Sequence, residues 1–433
     1  MAEKVLILGL SKSGIAAAKF AVSKGYDVYV TEKKNEVNLE QVKELQNLGV
    51  KIEHGSHSEE FISGASFAIT SPGIPPKSEI FRRLNEKNIK IISEVEFAYL
   101  NTKTPFIAIT GTNGKTTTTA LVSHILSKKF SAPVCGNIGV PPTSLIEENH
   151  DFLVCEISSY QAQMTEKFKA KIACWTNFTP DHIDWHGGLE NYFNAKAKIF
   201  LPPQEPEFAI LNAQDTKLKE FSKQCKNVIF FDDGNDCGIK NNSIFYKGEE
   251  IISLKDCPLV GHHNYQNIMC GIIIAKLVGM NNSDIREQIM SFRAPEHRLE
   301  KVREMNGITF FNDSKATNPE ASIVAIDSFN NQNVALILGG RDKNTDLTEM
   351  CHSINKHIKT VLLIGEATER FEENLKKNGF SNIIKEHTME DAIDKAISLK
   401  PDVVLLSPAC ASFDMFKSYE HRGEVFKDYV LSK

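Results

Sequence analysis

Short runs of apolar residues alternate with amphipathic stretches along the whole of this chain. Near the amino terminus, residues 4–10 (KVLILGL) and 26–32 (YDVYVTE) have the pattern of strands, and residues 13–25 between them have the pattern of a helix that ends at a glycine. The run FAIT at 67–70 predicts a later strand. Strands that alternate with helices of this length predict a parallel sheet with crossover connections. We therefore expect an α/β fold for the first hundred residues.

The same alternation begins again twice. A polar break at 101–105 precedes the run FIAIT, and a third series starts near residue 298 with ITFFN, VALILGG, TVLLIG and DVVLLSPA. A chain of 433 residues exceeds what one hydrophobic core usually organises. We therefore predict three α/β domains, which are a Rossmann-like domain at 1–101, a central domain with a P-loop ATPase-like parallel sheet at 102–297, and a Rossmann-like domain at 298–433.

Composition and charge narrow the class of protein. The chain is 41% hydrophobic and 24% charged, as soluble globular proteins are, and its net charge of -5 gives no support to nucleic-acid binding. Its nine cysteines are scattered singly without a CxxC pair, which favours reduced thiols over disulfides or a zinc site. No apolar run reaches the length of a membrane span. We expect a cytoplasmic monomer that acts on small molecules, with no nucleic-acid or membrane partner.

The stretch FIAITGTNGKTTTTALVSHIL, which begins at residue 106, carries the strongest chemical signal. An apolar strand leads into a glycine-containing loop and then into an amphipathic helix, which is the order of elements in a phosphate-binding P-loop. In such a loop Lys115 reaches the outer phosphates and the Thr116 hydroxyl coordinates Mg²⁺. The standard P-loop has a glycine where this chain has Ile109, so the motif is a variant. The candidates for holding ATP here are Gly111, Thr112, Asn113, Gly114, Lys115, Thr116 and Thr117.

Acidic and histidine residues follow the next two predicted strands. Glu156 lies at the carboxyl end of a strand, where the ligands of α/β proteins bind. The stretch TPDHIDWHG offers Asp181, His182, Asp184 and His186. Two histidines without a nearby cysteine favour an oxygen-liganded Mg²⁺ site, assisted by one histidine, over a zinc site. The alternative is a polar turn whose histidines cap a helix.

A second loop of the phosphate-binding type lies near the amino terminus. The segment Gly9–Gly14 (GLSKSG) follows a strand and opens a helix, and Glu32 ends the next strand. Ser11 replaces the middle glycine of a dinucleotide fingerprint, which argues against an NAD-dependent oxidoreductase. Together with the stretch SPGIPP at 71–76, the pattern favours a site for another diphosphate.

Polar residues crowd together after the first strand of the third series. In TFFNDSKATNPEA, six of the seven residues that follow the apolar strand are polar, and the seventh is Ala316. A plain turn needs one or two such residues, whereas a site for a charged small molecule needs several. The residues in question are Asn312, Asp313, Ser314, Lys315, Thr317 and Asn318.

These stretches together resemble the Mur ligase family. The resemblance rests on GTNGKTTT, EISSYQ, TNFTPDHIDWHG, GHHNYQN, the pair HR at 297–298, NDSKATN, LGGRDK and LLSPACASFDMFKSYEHRG, and it extends from residue 5 to about 426. NDSKATN and SPACASFD are typical of the branch that adds D-glutamate. The resemblance implies an ATP-dependent, ADP-forming ligase that adds D-glutamate to UDP-N-acetylmuramoyl-L-alanine through an acyl phosphate, in peptidoglycan precursor synthesis.

The resemblance also implies the catalytic and metal-binding residues. Lys115, His182 and Lys196 would be catalytic, and Lys196 would carry a carbamate that ligates one of two Mg²⁺ ions. Without the resemblance, Lys196 has the pattern of a solvated lysine on an amphipathic helix. The metal ligands implied are Thr116, Glu156, His182 and Lys196.

The remaining implied contacts concern the three substrates. Further contacts to ATP would come from Asn267, Arg298 and Asp313. The UDP-linked substrate would be bound by Ser11, Lys12, Ser13, Glu32, Lys33, Ser71, Gly73 and Asn137. D-Glutamate would be bound by Lys315, Thr317, Lys343, Ser412, Phe413 and Tyr419.

One departure from the family pattern and two other functions stay open. Val30, Thr31 and Glu32 stand where the family pattern predicts an aspartate followed by a hydroxyl residue for uracil and ribose. Folylpolyglutamate synthase shares the P-loop variant and also adds glutamate, but it has no need of the amino-terminal diphosphate-type loop. A regulatory nucleotide-binding protein descended from such a ligase would have lost some of the catalytic lysines, the glutamate or the histidine, and all of them are present.

Overall fold

The structure, a computed structural model, describes residues 2–181, 183–259, 261–293, 296–329, 332–342 and 345–433. Within these ranges the strands form three sheets, whose strand pairs are mostly parallel. The chain packs as two compact units, one of Met1–Cys257 with Gln266–Ser291 and one of Pro258–Tyr265 with Phe292–Lys433. The predicted α/β class with three domains is confirmed, and the boundaries after 101 and 297 stay predictions.

The first sheet follows the amino-terminal alternation of strands and helices. Its strands are β1 (Lys4–Leu8), β2 (Asp27–Glu32), β3 (Lys51–His54), β4 (Phe67–Thr70) and β5 (Lys90–Ser93), and its helices are α1 (Lys12–Ser23), α2 (Leu39–Asn47), α3 (Glu59–Ile62), α4 (Glu79–Glu86) and α5 (Glu94–Leu100). The strand order is β3-β2-β1-β4-β5, and every pair is parallel. The chain adds β2 and β3 on one side of the central strand β1 and then β4 and β5 on the other. Folds of this kind bind ligands at the carboxyl ends of the strands where the order reverses, which here is the end of β1.

The second sheet is the largest of the three. Its strands are β6 (Phe106–Thr110), β7 (Val134–Gly136), β8 (Leu153–Glu156), β9 (Ile172–Trp175), β10 (Phe208–Asn212), β11 (Val228–Phe231), β12 (Cys237–Lys240), β13 (Ser243–Tyr246) and β14 (Glu249–Ser253). The helices of this part of the chain are α6 (Lys115–Leu126), α7 (Ser159–Gln163), α8 (Ile183–His186), α9 (Leu189–Ala197), α10 (Thr216–Phe221), α11 (His262–Leu277) and α12 (Asn282–Ser291). The order is β14-β13-β12-β11-β10-β9-β6-β8-β7, so β6 has β8 on one side and β9 on the other.

Burial explains why the central strands of this sheet are apolar throughout. All residues of β6, β8 and β9 are buried, as expected for parallel strands covered by helices on both faces. Trp175 at the end of β9 is fully buried, and its ring lies 5.0 Å from that of Phe193 and 5.3 Å from that of Phe200. This packing fixes α9 against the sheet, and α9 carries Lys196.

The third sheet belongs to the second unit. Its strands are β15 (Glu300–Met305), β16 (Ile308–Asn312), β17 (Val334–Gly339), β18 (Thr360–Ile364), β19 (Ile383–Lys385) and β20 (Val403–Leu406), and its helices are α13 (Pro319–Ile326), α14 (Thr348–His357), α15 (Thr368–Lys377), α16 (Met389–Ser398) and α17 (Tyr419–Ser432). The order is β15-β16-β20-β17-β18-β19, and only the β15–β16 pair among these described strands is antiparallel. The loops after β16, β20 and β17 therefore lie side by side at one edge.

Two further expectations from the sequence can be compared with the structure. All nine cysteines are free thiols, which agrees with the prediction that they form no disulfides. Among the described helices, none combines the length and the apolar character needed to cross a membrane.

Gly339 at the end of β17 is required by close packing. Its φ is 122°, and a Cβ atom there would lie 1.9 Å from the carbonyl oxygen of Ile364 on the neighbouring strand. Gly379 has a φ of 90° but no atom within 4 Å of such a Cβ, so it isolates the cost of the backbone conformation alone.

We predict that Gly339→Ala lowers the free energy of unfolding more than Gly379→Ala does. The conformational penalty of a left-handed alanine is about 1–2 kcal/mol, and forcing strands apart adds roughly 1–3 kcal/mol. Urea unfolding of both variants measures the difference. Equal losses would show that the β17–β18 contact does not constrain this position.

Candidate active site

The glycine loop after β6 is built around backbone conformations that only glycine adopts easily. Gly114 precedes α6 with a φ of 80°, and a Cβ atom there would lie 2.7 Å from Oδ1 of Asn267. At Gly111 a Cβ atom would lie 1.9 Å from the hydroxyl oxygen of Thr176. The loop therefore lies in close contact with the residue after β9 on one side and with α11 on the other, at the amino terminus of α6.

Two residues that sequence reasoning did not single out hold this loop in shape. The side-chain oxygen of Asn177 accepts the N–H of Asn113 at 2.8 Å, and the hydroxyl of Thr176 donates to the carbonyl of Asn113 at 2.6 Å. The Thr112 hydroxyl accepts the N–H of Thr179 at 3.0 Å. The stretch TNFT was part of the family resemblance, but its sequence alone does not show that it supports a loop more than sixty positions away.

Two lysine side chains converge on the same carbonyl oxygen of the loop. Nζ of Lys115 donates to the carbonyl of Gly111 at 3.0 Å and to that of Thr112 at 2.7 Å. Nζ of Lys196, which is 1% exposed, donates to the carbonyl of Gly111 at 2.7 Å. Burial lowers the pKa of Lys196 well below its usual value, and the charge of Lys115 lowers it further, against the opposing effect of Asp181 and Glu156. Burial and the charge of Lys115 therefore both disfavour the charged form of Lys196.

A buried carboxylate lies beside this pair of lysines. The Thr116 hydroxyl donates to Oε2 of Glu156 at 2.9 Å, and Nδ2 of Asn137 donates to Oε1 at 2.8 Å. Glu156 is 1% exposed at the end of β8. The structure thus places Thr116, Glu156 and Asn137 in one hydrogen-bonded group next to the glycine loop.

The donor set fits Mg²⁺ better than a soft metal. Thr116 and Glu156 offer hydroxyl and carboxylate oxygens, which Mg²⁺ prefers, and Mg²⁺ commonly takes the rest of its shell from phosphates and water. Across the described residues, no three or more His, Cys, Asp or Glu side chains converge as a metal-binding group. His182 lies outside the described residues, as does the side chain of Asp184.

His186 is buried, with aromatic neighbours on α7 and α9. Its ring stacks on that of Tyr160 at 5.6 Å, and its Nε2 lies 3.0 Å from the hydroxyl of Ser159. These contacts pack His186 against α7, and the alternative that it caps a helix stays a prediction. Thr117 is likewise buried, inside α6.

The amino-terminal loop brings several predicted residues together at the end of β1. The Ser11 hydroxyl donates to that of Ser71 at 2.8 Å, and it lies 3.0 Å from that of Ser13. The Glu32 carboxylate accepts the N–H groups of Leu10 and Lys34, both at 3.0 Å. The exposed residues Lys12, Lys33 and Gly73 make no contact in this group that the structure shows.

Asp313 is the centre of the corresponding site in the second unit. It follows β16, it is 5% exposed, and its carboxylate accepts the Ser407 hydroxyl at 2.8 Å and the N–H of Leu299 at 3.2 Å. Burial raises the pKa of Asp313 to about 7, although Ser407 and the nearby Arg298 act to lower it. Within the described residues, the buried Nε of Arg298 has no hydrogen-bond partner.

Arg422 joins the two polar loops of this unit, and sequence reasoning gave it no role. It is fully buried on α17; its Nε donates to the Ser314 hydroxyl at 3.0 Å, and one terminal nitrogen donates to the carbonyls of Ser314 at 2.8 Å and Cys410 at 3.0 Å. Burial lowers the pKa of Arg422 to about 10. The side chain therefore ties the loop after β16 to the loop after β20.

The residues predicted to bind D-glutamate lie around these same loops. Nζ of Lys315 lies 5.5 Å from the ring centre of Tyr419, and the Tyr419 carbonyl accepts the Ser314 hydroxyl at 2.8 Å. Ser412 is 2% exposed in the loop after β20, whereas Phe413 beside it is 63% exposed. Thr317 is half-buried in the loop before α13, and Lys343 lies outside the described residues.

Comparison with known proteins connects all three sheets to one family. Models of the Mur ligase MurD-like N-terminal domain, the Mur ligase middle domain and the Mur ligase glutamate ligase domain match residues 3–93, 109–275 and 297–410. The curated UDP-N-acetylmuramoylalanine--D-glutamate ligase of Caldanaerobacter subterraneus is 37% identical, over 99% of this chain and 98% of that protein. The protein of the same name from Koribacter versatilis is 39% identical, over 99% and 97%.

Solved structures of Mur ligases share the fold. The UDP-N-acetylmuramate-alanine ligase MurC of Thermotoga maritima matches with a TM-score of 0.62 at 20% identity, over 99% of this chain and all of that one. MurF of Acinetobacter baumannii matches with a TM-score of 0.63 at 17% identity, over 99% and 93%. The fold and the loop sites define a ligase of the Mur type, and this chain belongs to the Mur ligase family. The two curated relatives named above are both UDP-N-acetylmuramoylalanine--D-glutamate ligases.

We predict that Asp313 makes the protein less stable as the pH rises from about 4 to about 7. An acid whose pKa is raised on folding binds its proton more tightly in the folded state, so its stabilising effect is complete below the unfolded pKa and is lost as the pH approaches the folded value. Asp313→Asn should remove this loss, on the order of 1.4 kcal/mol for each pH unit between the two pKa values.

Urea unfolding at several pH values measures this difference between wild type and variant. Asp346→Asn is the control, because Asp346 is exposed and local hydrogen bonds lower its pKa. A constant difference between Asp313→Asn and wild type across pH 4–7 would contradict the buried proton.

Proposed function

We propose that this chain is an ATP-dependent ligase that adds D-glutamate to UDP-N-acetylmuramoyl-L-alanine, a cytoplasmic step in peptidoglycan precursor synthesis. The observation that carries the proposal is the convergence of Lys115 and Lys196 on the Gly111 carbonyl, beside the Thr116–Glu156 hydrogen bond. The cationic side chain of Lys115 and the helix amino terminus beside this loop favour a polyanion such as the triphosphate of ATP. Full-length identity to D-glutamate ligases supports the choice of substrates.

The reaction requires activation of a poor electrophile. A carboxylate oxygen of the L-alanyl group attacks the γ-phosphorus of ATP, the bond from that phosphorus to the bridging oxygen breaks, and ADP leaves. The amine of D-glutamate then attacks the carbonyl carbon, a C–N bond forms, inorganic phosphate leaves, and the amine loses a proton. Phosphoryl transfer depends mainly on positioning and charge neutralisation, which the loop amides and Lys115 supply.

The metal-binding role rests on the oxygen donors of the first unit. Thr116 and Glu156 would hold one Mg²⁺ ion, with His182 and a modified Lys196 as ligands of a second. When bound, Mg²⁺ supplies neutralisation of charge on the phosphate oxygens. Asn267 lies against Gly114, and its Oδ1 accepts the Thr118 hydroxyl at 3.0 Å.

Lys196 is proposed to carry a carbamate. Its neutral amine would attack CO₂, forming an N–C bond and releasing one proton, so that a neutral buried side chain becomes an anion. The low pKa that burial and Lys115 impose supports this reaction, because only the neutral amine is nucleophilic. The resulting anion would also attract the charged ammonium group of Lys115.

The other two substrates are assigned to the remaining loops. The serine group at the end of β1, with Lys12, Lys33 and Gly73, would bind the uridine diphosphate. The loops joined by Arg422 would bind D-glutamate, with Lys315 and Lys343 opposite its carboxylates. Arg298 and Asp313 would contact ATP from the second unit, and the buried, unpartnered Nε of Arg298 among the described residues supports a ligand contact there.

We predict that Lys115→Ala abolishes ATP-dependent phosphate release in the presence of both other substrates. Removing one electrostatic contact to a transition state costs about a hundredfold or more in kcat. Lys128→Ala is the control, because Lys128 is exposed just beyond α6 and pairs with Glu287 at 2.8 Å. Near-normal turnover in Lys115→Ala would remove ATP from this loop. Uridine-nucleotide binding by the wild type separates the proposal from a folylpolyglutamate synthase.

We predict that protein equilibrated with ¹³C-bicarbonate shows a carbamate carbon signal by NMR that Lys196→Ala lacks. Lys198→Ala is the matched control, since Lys198 follows on the same segment but donates to the carbonyl of Gln163 at 2.9 Å, away from the loop. The Lys196 variant should also lose about a hundredfold in turnover. A signal that persists in Lys196→Ala, or that vanishes in Lys198→Ala, would assign the modification elsewhere.

A further inference from the structure

Two buried carboxylates lie where the first and second sheets meet within the first unit. Glu94 and Glu96, in the first turn of α5, are 3% and 1% exposed. Oε1 of Glu94 accepts the N–H of Thr143 at 2.7 Å and its hydroxyl at 2.5 Å. The carboxylate of Glu96 accepts the three N–H groups of residues 166–168, at 2.8–3.0 Å. Because burying a carboxylate without hydrogen bonds is costly, both contacts resist displacement.

The two carboxylates hold different parts of the central domain. Glu96 holds the turn that leads into β9. Thr143 belongs to the 3₁₀ turn Pro142–Ser144, which directly follows the segment 136–141. That segment carries Asn137, whose N–H donates to the carbonyl of Glu156 at 2.9 Å and whose side chain donates to the Glu156 carboxylate at 2.8 Å. The segment is therefore fastened at one end beside Thr116 and Glu156, and at the other end to Glu94.

We infer that Glu94 is a positioning residue for the UDP-linked substrate, because it sets the place of the segment that carries Asn137. This inference rests on the proposed function, in which the substrate extends from the loop after β1 to the loop after β6. The segment is fastened to α5, which follows β5 of the first sheet, and to Glu156 beside the loop after β6. Asn137 is exposed and so can contact a ligand while its position is held by groups on both sides.

The chemistry of the contact suggests which replacements are tolerated. One oxygen of Glu94 accepts both hydrogen bonds from Thr143, so the amide oxygen of a glutamine could accept them as well. Burial raises the pKa of Glu94 to about 7, against the opposing effect of these hydrogen bonds, so a neutral side chain is compatible with the site. A leucine fills similar space without an acceptor and leaves the donors of Thr143 unsatisfied.

Steady-state kinetics with each substrate varied in turn tests the inference. Glu94→Leu should raise the KM for UDP-N-acetylmuramoyl-L-alanine by about tenfold, because a small misplacement of a contact is costly. Its KM values for ATP and D-glutamate should stay within about twofold, as for substitutions that do not touch those ligands. Glu94→Gln should restore the KM for the UDP-linked substrate to near the wild-type value.

Glu96→Leu is the matched control, because Glu96 is equally buried but fastens residues 166–168. It should lower the thermal midpoint at least as much as Glu94→Leu without a selective change in any KM. Thr143→Val, which removes only the hydroxyl contact, should give a smaller selective rise and covers the case in which Glu94→Leu does not fold. Equal changes in all three KM values, or no change in Thr143→Val and Glu94→Leu, would overturn the positioning role.

Wild-type turnover is measured first. If the wild type shows no phosphate release with the three substrates, the proposed function is overturned and this inference falls with it. If the wild type turns over and only the selective KM effect is missing, the inference about Glu94 alone is overturned.

Discussion

The carbonyl oxygen of Gly111 accepts hydrogen bonds from two lysines, and the candidate site of the first unit is arranged around it. Two lysine nitrogens lie within 3.0 Å of it, and one of those lysines is almost completely buried. Two charged amines at one oxygen would repel each other, and the repulsion would be stronger in a site of low dielectric constant. Burial and the charge of Lys115 lower the pKa of Lys196, and the nearby Glu156 opposes this effect. An anion bound beside these two amines would offset such repulsion.

In the second unit, a buried arginine and a buried aspartate hold the loops at the strand ends in place. Its loops must present polar side chains at the ends of three neighbouring strands, and loops alone are poor at holding fixed geometry. The fully buried guanidinium of Arg422 gives them a common anchor, since its planar set of donors reaches backbone carbonyls of two loops at once. The buried carboxylate of Asp313 adds a second link through Ser407. Next to this support, Phe413 in the loop after β20 stays exposed.

The amino-terminal sheet is attached to the central one by carboxylates rather than by apolar contact alone. Glu94 and Glu96 each accept hydrogen bonds from backbone groups across the junction, so the contact has a fixed direction as well as strength. Directional contacts matter where a substrate spans two domains, because a shift of the junction would change the distance between its binding groups. The contacts of Thr143, Asn137 and Glu156 link this junction to the glycine loop after β6.

Local pattern determined the strands, the glycine loop with Lys115 and Thr116, and the place of Glu156 at a strand end, because these features depend on neighbours close in the chain. The roles of Asn177, Glu94 and Arg422 were decided only by tertiary structure. Each is an ordinary polar residue in its own segment, and Glu94, Asn177 and Arg422 act on partners 49, 64 and 108 positions away. Hydrogen bonds across such distances leave no periodicity in the sequence. They exist only once the sheets have brought the segments together.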